Sequence, residues 1–191
     1  MGSNYWAAPA IFLIDTLFSI YIFAVLLRFL FQWSGADYQN PLSQLLIRIT
    51  HPPLRLIRRV VPSVGRVDTA ALVLMLALQM LSTTLIFLLQ GAAPSPAAVA
   101  VWGIAQWLEL VLNLYFYAIL IRTLLSWVGP MPYNPAVSLL FSLTEPVLSA
   151  SRRLLPPTGG IDLSPIVPLI GLQLAKMLLL PPLQQWAMLL N

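Results

Sequence analysis

Cysteine is absent from the 191 residues. Disulfides, thiolate nucleophiles and cysteine metal ligands are therefore excluded. Histidine occurs once, as His51, which leaves nothing to build a histidine metal site. Charge is scarce as well: 8% of residues are charged against 59% hydrophobic. Soluble domains carry about 25% charged residues, and 8% cannot cover a water-facing surface of this size. The remaining reading is a chain whose outside is solvated by lipid. Residues 1–9 hold no Lys or Arg, and no small-residue cleavage site follows at the usual distance. The first hydrophobic run is thus expected to stay in the mature chain and not to act as a signal peptide. Catalysis finds no support. The serines have no histidine partner, no glycine-rich phosphate loop occurs, and no carboxylates pair in a soluble cleft. No enzymatic activity, cofactor or metal is expected.

Four apolar runs are present, at 10–32, 70–90, 100–126 and 164–190. At 1.5 Å per residue the first covers roughly 34 Å, enough for a hydrocarbon core of about 30 Å. The second carries no charge. The third contains Glu109 and Arg122. The fourth contains Lys176 together with Pro168, Pro181 and Pro182, which predict a kink and an early stop. Basic residues sort by loop. The stretch 33–69 holds Arg48, Arg55, Arg58, Arg59 and Arg66, and 127–163 holds Arg152 and Arg153, whereas the N-terminal segment and 91–99 hold none. The positive-inside rule then places both long loops in the cytoplasm and both termini in the periplasm of a bacterial inner membrane. Trp33 and Trp127 sit just past their spans, where interfacial aromatics are expected. The net charge of +4 is read as orientation and contact with anionic headgroups. Nucleic acid is not an expected partner, because the basic residues are juxtamembrane.

A shift of 94 residues aligns the two halves without a gap. Arg28 falls on Arg122, Trp33 on Trp127, Gly35 on Gly129, and Asn40-Pro41 on Asn134-Pro135. Thr50 and Pro52 fall on Thr144 and Pro146, and Arg58-Arg59 on Arg152-Arg153. Pro62, Gly65, Asp68 and Gln79 fall on Pro156, Gly159, Asp162 and Gln173. Between Leu27 and Gln79, 19 of 53 positions are identical, and their concentration in Asn, Pro, Gly, Trp, Arg and Asp excludes accident. The expected fold is an all-α membrane protein of four transmembrane helices in two tandem repeats, at 10–90 and 100–190. Each repeat holds an even number of spans, so the copies are parallel, related by a pseudo-two-fold axis along the membrane normal.

The connection between the two spans of a repeat is expected to hold a pair of short amphipathic helices. Asn40 caps the first and Pro41 opens it. Over 41–49, Leu42, Leu45, Leu46 and Ile49 share one face, with Ser43, Gln44 and Arg48 opposite. Thr50 is read as the cap of a second helix that opens at Pro52 and stops at Pro62. There Arg55, Arg58 and Arg59 share a narrow face, with Leu54, Leu56, Ile57, Val60 and Val61 on the other. The second copy repeats the design at 135–143 and 146–155. Helices of about nine residues are too short to span. They either lie in the interface, which arginine snorkelling favours, or dip in as a re-entrant hairpin.

These residues resemble the signature of the YggT family (YlmG-like) of bacterial inner-membrane proteins. The elements are Arg122 with Trp127, Asn134-Pro135, Thr144-Glu145-Pro146, Arg152-Arg153, Pro156, and Gly160-Ile161-Asp162-Leu163-Ser164-Pro165. The first repeat is a degraded copy, with Thr50-His51-Pro52 and Val67-Asp68-Thr69-Ala70 in the corresponding places. The resemblance implies a small inner-membrane protein without established enzymatic chemistry. Members are associated with osmotic or extracytoplasmic stress. Relatives are associated with cell division, nucleoid distribution and assembly of a plastid cytochrome complex.

Three sets of residues are candidates for function. Asp15 and Glu109 are equivalent acids inside spans, and such acids are functional candidates by default. With Lys176 and the mid-span pair Gln79 and Gln173 they form a candidate ion site. The alternative reading is a structural ion pair plus one acid snorkelling to the outer surface, with the two glutamines as hydrogen-bonding glue between helices. By residue count Lys176 stands roughly 18 Å and Glu109 roughly 27 Å from the cytoplasmic boundary, a gap the lysine stem or helix tilt would close. Arg28 with Asp68, and Arg122 with Asp162, are read as a structural clasp that occurs twice at one depth. Arg55, Arg58, Arg59, Arg152 and Arg153 are the candidate lipid- or partner-binding set. His51 is assigned no role. The leading expectation is a non-enzymatic organising or adaptor protein in osmotic or envelope stress adaptation. Its expected partners are anionic lipid headgroups and a second copy or another membrane protein. The alternative is a small oligomeric ion channel or transporter.

Overall fold

The computed structural model describes residues 7–65, 67–128, 132–155 and 162–190. The chain folds into α1 (Ala7–Ser34), α2 (Pro41–Ile57), α3 (Thr69–Leu89), α4 (Pro96–Val128), α5 (Pro135–Leu154) and α6 (Ile166–Leu189). Four of these, α1, α3, α4 and α6, are long and apolar enough to cross a membrane. The protein is a multi-pass membrane protein. Its two repeats read span, connecting helix, returning span: α1–α2–α3 and α4–α5–α6. Arg66, Gly129, Pro156, Gly159, Gly160 and Ile161, invoked above for the loop charge, the repeat and the family signature, lie outside the described residues.

In hydrocarbon every backbone polar group must be satisfied within the protein, so uninterrupted aliphatic runs become helices. The ends are set by local chemistry. At Gly35 (φ 70°) the amide of Ala36 donates to Phe31 O at 2.9 Å, and at Gly91 (φ 77°) the amide of Ala92 donates to Phe87 O at 2.9 Å. Both are Schellman stops, which need the left-handed conformation glycine adopts without strain. The connecting helices start on asparagine caps. Asn40 Oδ1 accepts from Leu42 N, and Asn134 Oδ1 from Ala136 N, each at 2.9 Å.

Each connection is one helix and not a pair, which corrects the sequence expectation. Thr50 is not a cap, and Pro52, Pro53 and Pro146 all lie inside a helix. At Pro53 the neighbouring span supplies the group that proline removes. Pro53 has no N–H for the Ile49 carbonyl, and the Tyr21 hydroxyl of α1 donates to that carbonyl instead, at 3.3 Å. In the second copy Val147 stands in place of Pro53 and keeps its N–H. Tyr115, the counterpart of Tyr21, accordingly has no partner for its hydroxyl among the described residues. The early stop expected in the fourth span is also corrected. Helix α6 runs through Pro181 and Pro182 to Leu189, a tolerance common in membrane helices, and Pro168 lies in its first turn, where no N–H is needed.

Helix α2 shows three faces. Ser43, Thr50 and Leu54 are buried against α1 and α3. Leu42, Leu45, Ile49 and Leu56 form an exposed apolar stripe. Gln44, Arg48, His51 and Arg55 form an exposed polar face, and Arg59, just past the helix end, is exposed as well. Such a helix presents apolar surface to lipid and charge to headgroups at once.

Within the bundle α1 packs on α3, α4 on α6, and α3 against α4 joins the repeats. The core is Ile22, Val25 and Leu26 of α1 with Ala70, Ala71, Leu74 and Met75 of α3, and Tyr115 and Ala118 of α4. Small residues permit the close approach. Gly103 of α4 sits against Leu76, Gln79 and Met80 of α3, where a Cβ would lie 3.4 Å from Leu76 Cδ1. A second tie between repeats is polar. Asn40 Nδ2 donates to Pro135 O at 2.9 Å, joining the starts of α2 and α5.

The two caps thus differ in one hydrogen bond. Asn134→Ala is expected to lower stability by about 1 kcal/mol, the cost of a lost N-cap. Asn40→Ala is expected to cost about twice that, because a bond across the repeats goes too. Unfolding of the purified chain in detergent micelles measures both, and equal losses would contradict the cross-repeat tie.

Candidate functional site

The charged groups of the connecting helices are arranged in the same way twice. Arg28 Nη1 donates to Thr50 Oγ1 at 2.8 Å, and Arg122 Nη1 to Thr144 Oγ1 at 2.9 Å. Each threonine hydroxyl sends its own proton to the carbonyl four residues back, Leu46 O at 2.6 Å and Leu140 O at 2.7 Å. Its lone pairs are left for the guanidinium. The arginine of the first span is thereby fixed to the middle of its connecting helix.

The clasp expected between Arg28 and Asp68, and between Arg122 and Asp162, pairs different arginines. Asp68 is bound by Arg58, and Asp162 Oδ2 lies 3.5 Å from Arg152 Nε. The reason is geometric. The aspartate sits just before the returning span, ten residues past an arginine at the end of the connecting helix. That arginine arrives beside it, while the span arginine is already held by threonine. A residue not singled out above completes the second copy. Glu145 takes Arg122 Nη2 at 2.5 Å and Arg152 Nη1 at 2.9 Å, so one carboxylate joins two guanidiniums. The equivalent in the first copy is His51, which is exposed. The hydrogen bond from Arg122 holds the Glu145 carboxyl below its ordinary range, against a smaller opposing effect of burial. Asp162 is lowered likewise, first by Ser164, whose backbone N–H donates to Oδ1 at 2.9 Å.

All six Asp and Glu side chains lie among the described residues. None pairs with Arg55, Arg59 or Arg153, nor with Arg48. The candidate lipid- or partner-binding set therefore divides. Arg58 and Arg152 are spent on internal ion pairs, while Arg48, Arg55, Arg59 and Arg153 face outward without a carboxylate.

The candidate ion-site residues fall into separate places. Lys176 Nζ lies 2.9 Å from Glu109 Oε1 and donates to Asn113 Oδ1 at 3.0 Å, tying α6 to α4. Sequence reasoning missed Asn113 as a partner, although its spacing of four residues from Glu109 puts it on the same helix face. Asp15 is elsewhere. It lines two cavities of about 190 and 200 Å³ that share Asp15, Gln79 and Gln106, between α1, α3 and α4. Gln79 Nε2 donates to Gln106 Oε1, and Thr83 Oγ1 lies 3.4 Å from the same oxygen. Gln173 is exposed and lines neither cavity. A larger cavity, about 560 Å³, is different in kind. It lies between α1, α2, α4 and α5, and its wall is aliphatic and aromatic apart from Asn113. Equivalent residues of both copies line it, Phe23 with Tyr117 and Leu45 with Leu139 among them, so it sits on the axis relating the repeats. Among the described residues no group of three or more His, Cys, Asp or Glu is placed to hold a metal ion.

The chain matches the sequence model of the CCB3/YggT family twice, at residues 7–89 and 101–183, which reproduces the 94-residue offset. An uncharacterised protein of Pseudomonas aeruginosa is 41% identical over 173 residues, covering 90% of this chain and 88% of the relative. The uncharacterised protein YggT of Escherichia coli K12 is 32% identical over 168 residues, 87% of this chain and 86% of the relative. A shorter likeness, 33% over 58 residues, covers 29% of this chain and 33% of CCB3, an Arabidopsis thaliana chloroplast protein named for cofactor assembly of complex C. No solved structure matches.

The Glu145 bridge makes stability depend on acid. Carboxyls lowered in the folded state contribute stability above their ordinary values, 4.5 for Glu145 and 3.8 for Asp162, and lose it as pH falls through the lowered ones. Thermal unfolding from pH 6 downward is expected to show a loss that Glu145→Gln reduces. The converse change, His51→Glu, offers Arg28 and Arg58 the same bridge and is expected to raise stability by about 0.5–1 kcal/mol at this exposed site. A destabilised His51→Glu variant would contradict the equivalence of the two copies.

Proposed function

The chain belongs to the CCB3/YggT family, and from that premise we propose that it is a non-enzymatic organising protein of the bacterial inner membrane. The end of the bundle that carries α2 and α5 faces the cytoplasm in this reading, and both termini face the periplasm. The observation that carries it is the outward, carboxylate-less set Arg48, Arg55, Arg59 and Arg153. On α2 it lies beside the exposed apolar stripe of Leu42, Leu45, Ile49 and Leu56. A basic face flanking an apolar one suits an anionic membrane surface and the membrane-embedded flank of a partner. The internal ion pairs support this division of labour. They hold the connecting helices rigidly on their spans, so the open arginines are presented on a fixed platform. The name of the chloroplast relative, a cofactor assembly protein, supports an assembly or adaptor role over a catalytic one. The family resemblance supports placing that role in osmotic or envelope stress adaptation. A second reading, a small oligomeric ion channel or transporter, is favoured by the polar cleft at Asp15.

The test replaces Arg48, Arg55, Arg59 and Arg153 by Gln in the full chain. Native mass spectrometry of the purified protein is expected to show loss of retained anionic lipid, about fivefold in preference for each arginine, as roughly 1 kcal/mol per basic residue implies. In a strain lacking the protein, the same variant is expected to fail to restore growth under osmotic upshift, while Asp15→Asn restores it. Undiminished lipid retention with full restoration would overturn the organising role, and failure of Asp15→Asn alone would carry the second reading.

A further inference from the structure

The second repeat neutralises its intramembrane carboxylate with a tethered cation. Lys176 Nζ lies 2.9 Å from Glu109 Oε1 and 3.0 Å from Asn113 Oδ1. At the offset of 94 these three positions in the first repeat are Ser82, Asp15 and Ser19. The acid is kept and the lysine is gone. Where the second copy has an ammonium and its long stem, the first has two short hydroxyls and space. Asp15 lines both cavities, Ser82 one of them and Ser19 the other. Asp15 makes no ion pair among the described residues.

The walls fit a single positive charge. Gln79 gives an N–H to Gln106 Oε1, a bond that leaves its own side-chain carbonyl oxygen unused. Hydroxyls of Ser19, Ser82 and Thr83 line the same space. One carboxylate among neutral oxygens is balanced by a monovalent ion. Ca²⁺ and Mg²⁺ sites draw instead on several carboxylates, carbonyls and waters. Asp15 is exposed in the outer part of α1, and a carboxylate without an ion-pair partner at that depth favours a cation beside it. An entry path exists. The first cavity follows α3 from Gln79 to Gln90, the exposed residue that caps the helix. The second ends on Ile22, which is 1% exposed, and Leu110.

We propose that a free monovalent inorganic cation occupies this cleft at Asp15, in the place that the second repeat fills with the Lys176 ammonium. The inference rests on the internal repeat and is independent of the organising role.

The test is thermal unfolding of the full chain in phosphatidylglycerol nanodiscs, which carry no ammonium headgroup. The salts compared at equal ionic strength are sodium chloride, potassium chloride and N-methyl-D-glucamine chloride. The wild-type Tm is expected to be about 2–4 °C higher with sodium or potassium than with the bulky cation. Asp15→Asn abolishes the difference. Ser82→Lys, which restores the tethered ammonium, also abolishes it and raises Tm in N-methyl-D-glucamine chloride. Equal wild-type Tm in all three salts overturns the proposal, and so does a difference that persists undiminished in Asp15→Asn. A second measurement does not depend on those variants folding with full stability. The chain has no cysteine, so Gln79→Cys provides one thiol in the cleft. It is expected to react several-fold faster with a cationic than with an anionic water-soluble methanethiosulfonate, and sodium or potassium slows the reaction. No reaction, or equal rates with both reagents, overturns the proposal.

Discussion

A guanidinium on the first span of each repeat, bonded through Nη1 to a threonine hydroxyl midway along the connecting helix, fixes the loop side of the protein. The bond is 2.8 Å in one copy and 2.9 Å in the other. It decides more than its own energy, because an amphipathic helix in a membrane interface is otherwise held only by nondirectional burial. With Thr50 and Thr144 pinned, the following arginines, Arg58 and Arg152, reach the aspartates that precede the returning spans. The helix is thus fastened at its middle and its end. The remaining arginines are then turned outward on a rigid support.

The duplication makes the chain its own comparison. One copy answers a structural demand with one residue, and the other answers it differently. The second repeat gathers Arg122 and Arg152 on Glu145, where the first has His51. The first repeat satisfies the carbonyl released by Pro53 with Tyr21, where the second keeps an N–H at Val147 and leaves the Tyr115 hydroxyl without a partner among the described residues. The second repeat neutralises Glu109 with Lys176, where the first opens a polar cleft around Asp15. Each difference is a local change on a common frame. The departures from the repeat therefore mark where the two halves differ in local chemistry, whereas the shared contacts mark the fold.

The fold is largely readable from residues, and the site only in part. Span positions follow from unbroken apolar runs and lie within a few residues of the helices, since hydrophobicity and length decide membrane insertion. The repeat is visible because Asn, Pro, Gly, Trp and Arg recur at one offset, and the asparagine caps follow from Asn-Pro at a helix start. Proline misleads in two places. Along the chain Pro52-Pro53 signals a break and Pro181 a stop, but the Tyr21 hydroxyl takes the carbonyl that Pro53 releases, and membrane helices tolerate the second. Such compensation is tertiary and leaves no local mark. The clasp has the right aspartates and the wrong arginines, because spacing along the chain gives depth but not which of two arginines arrives first. Glu109 and Lys176 group correctly by chemistry. Asp15 joins them by equivalence alone, although the replacement of the lysine by Ser82 is already written in the sequence.

The most direct measurement is a double-mutant cycle on the threonine anchor. Arg122→Gln, Thr144→Val and the two combined are compared with the wild type by equilibrium unfolding in one detergent. A hydrogen bond from a charged group, largely buried on both sides, is worth about 1.5–3 kcal/mol. A coupling energy of that size is expected, with a similar value for Arg28→Gln and Thr50→Val. Additive losses in both cycles would mean that the guanidinium and the hydroxyl do not hold each other, and the anchored platform would have to be abandoned.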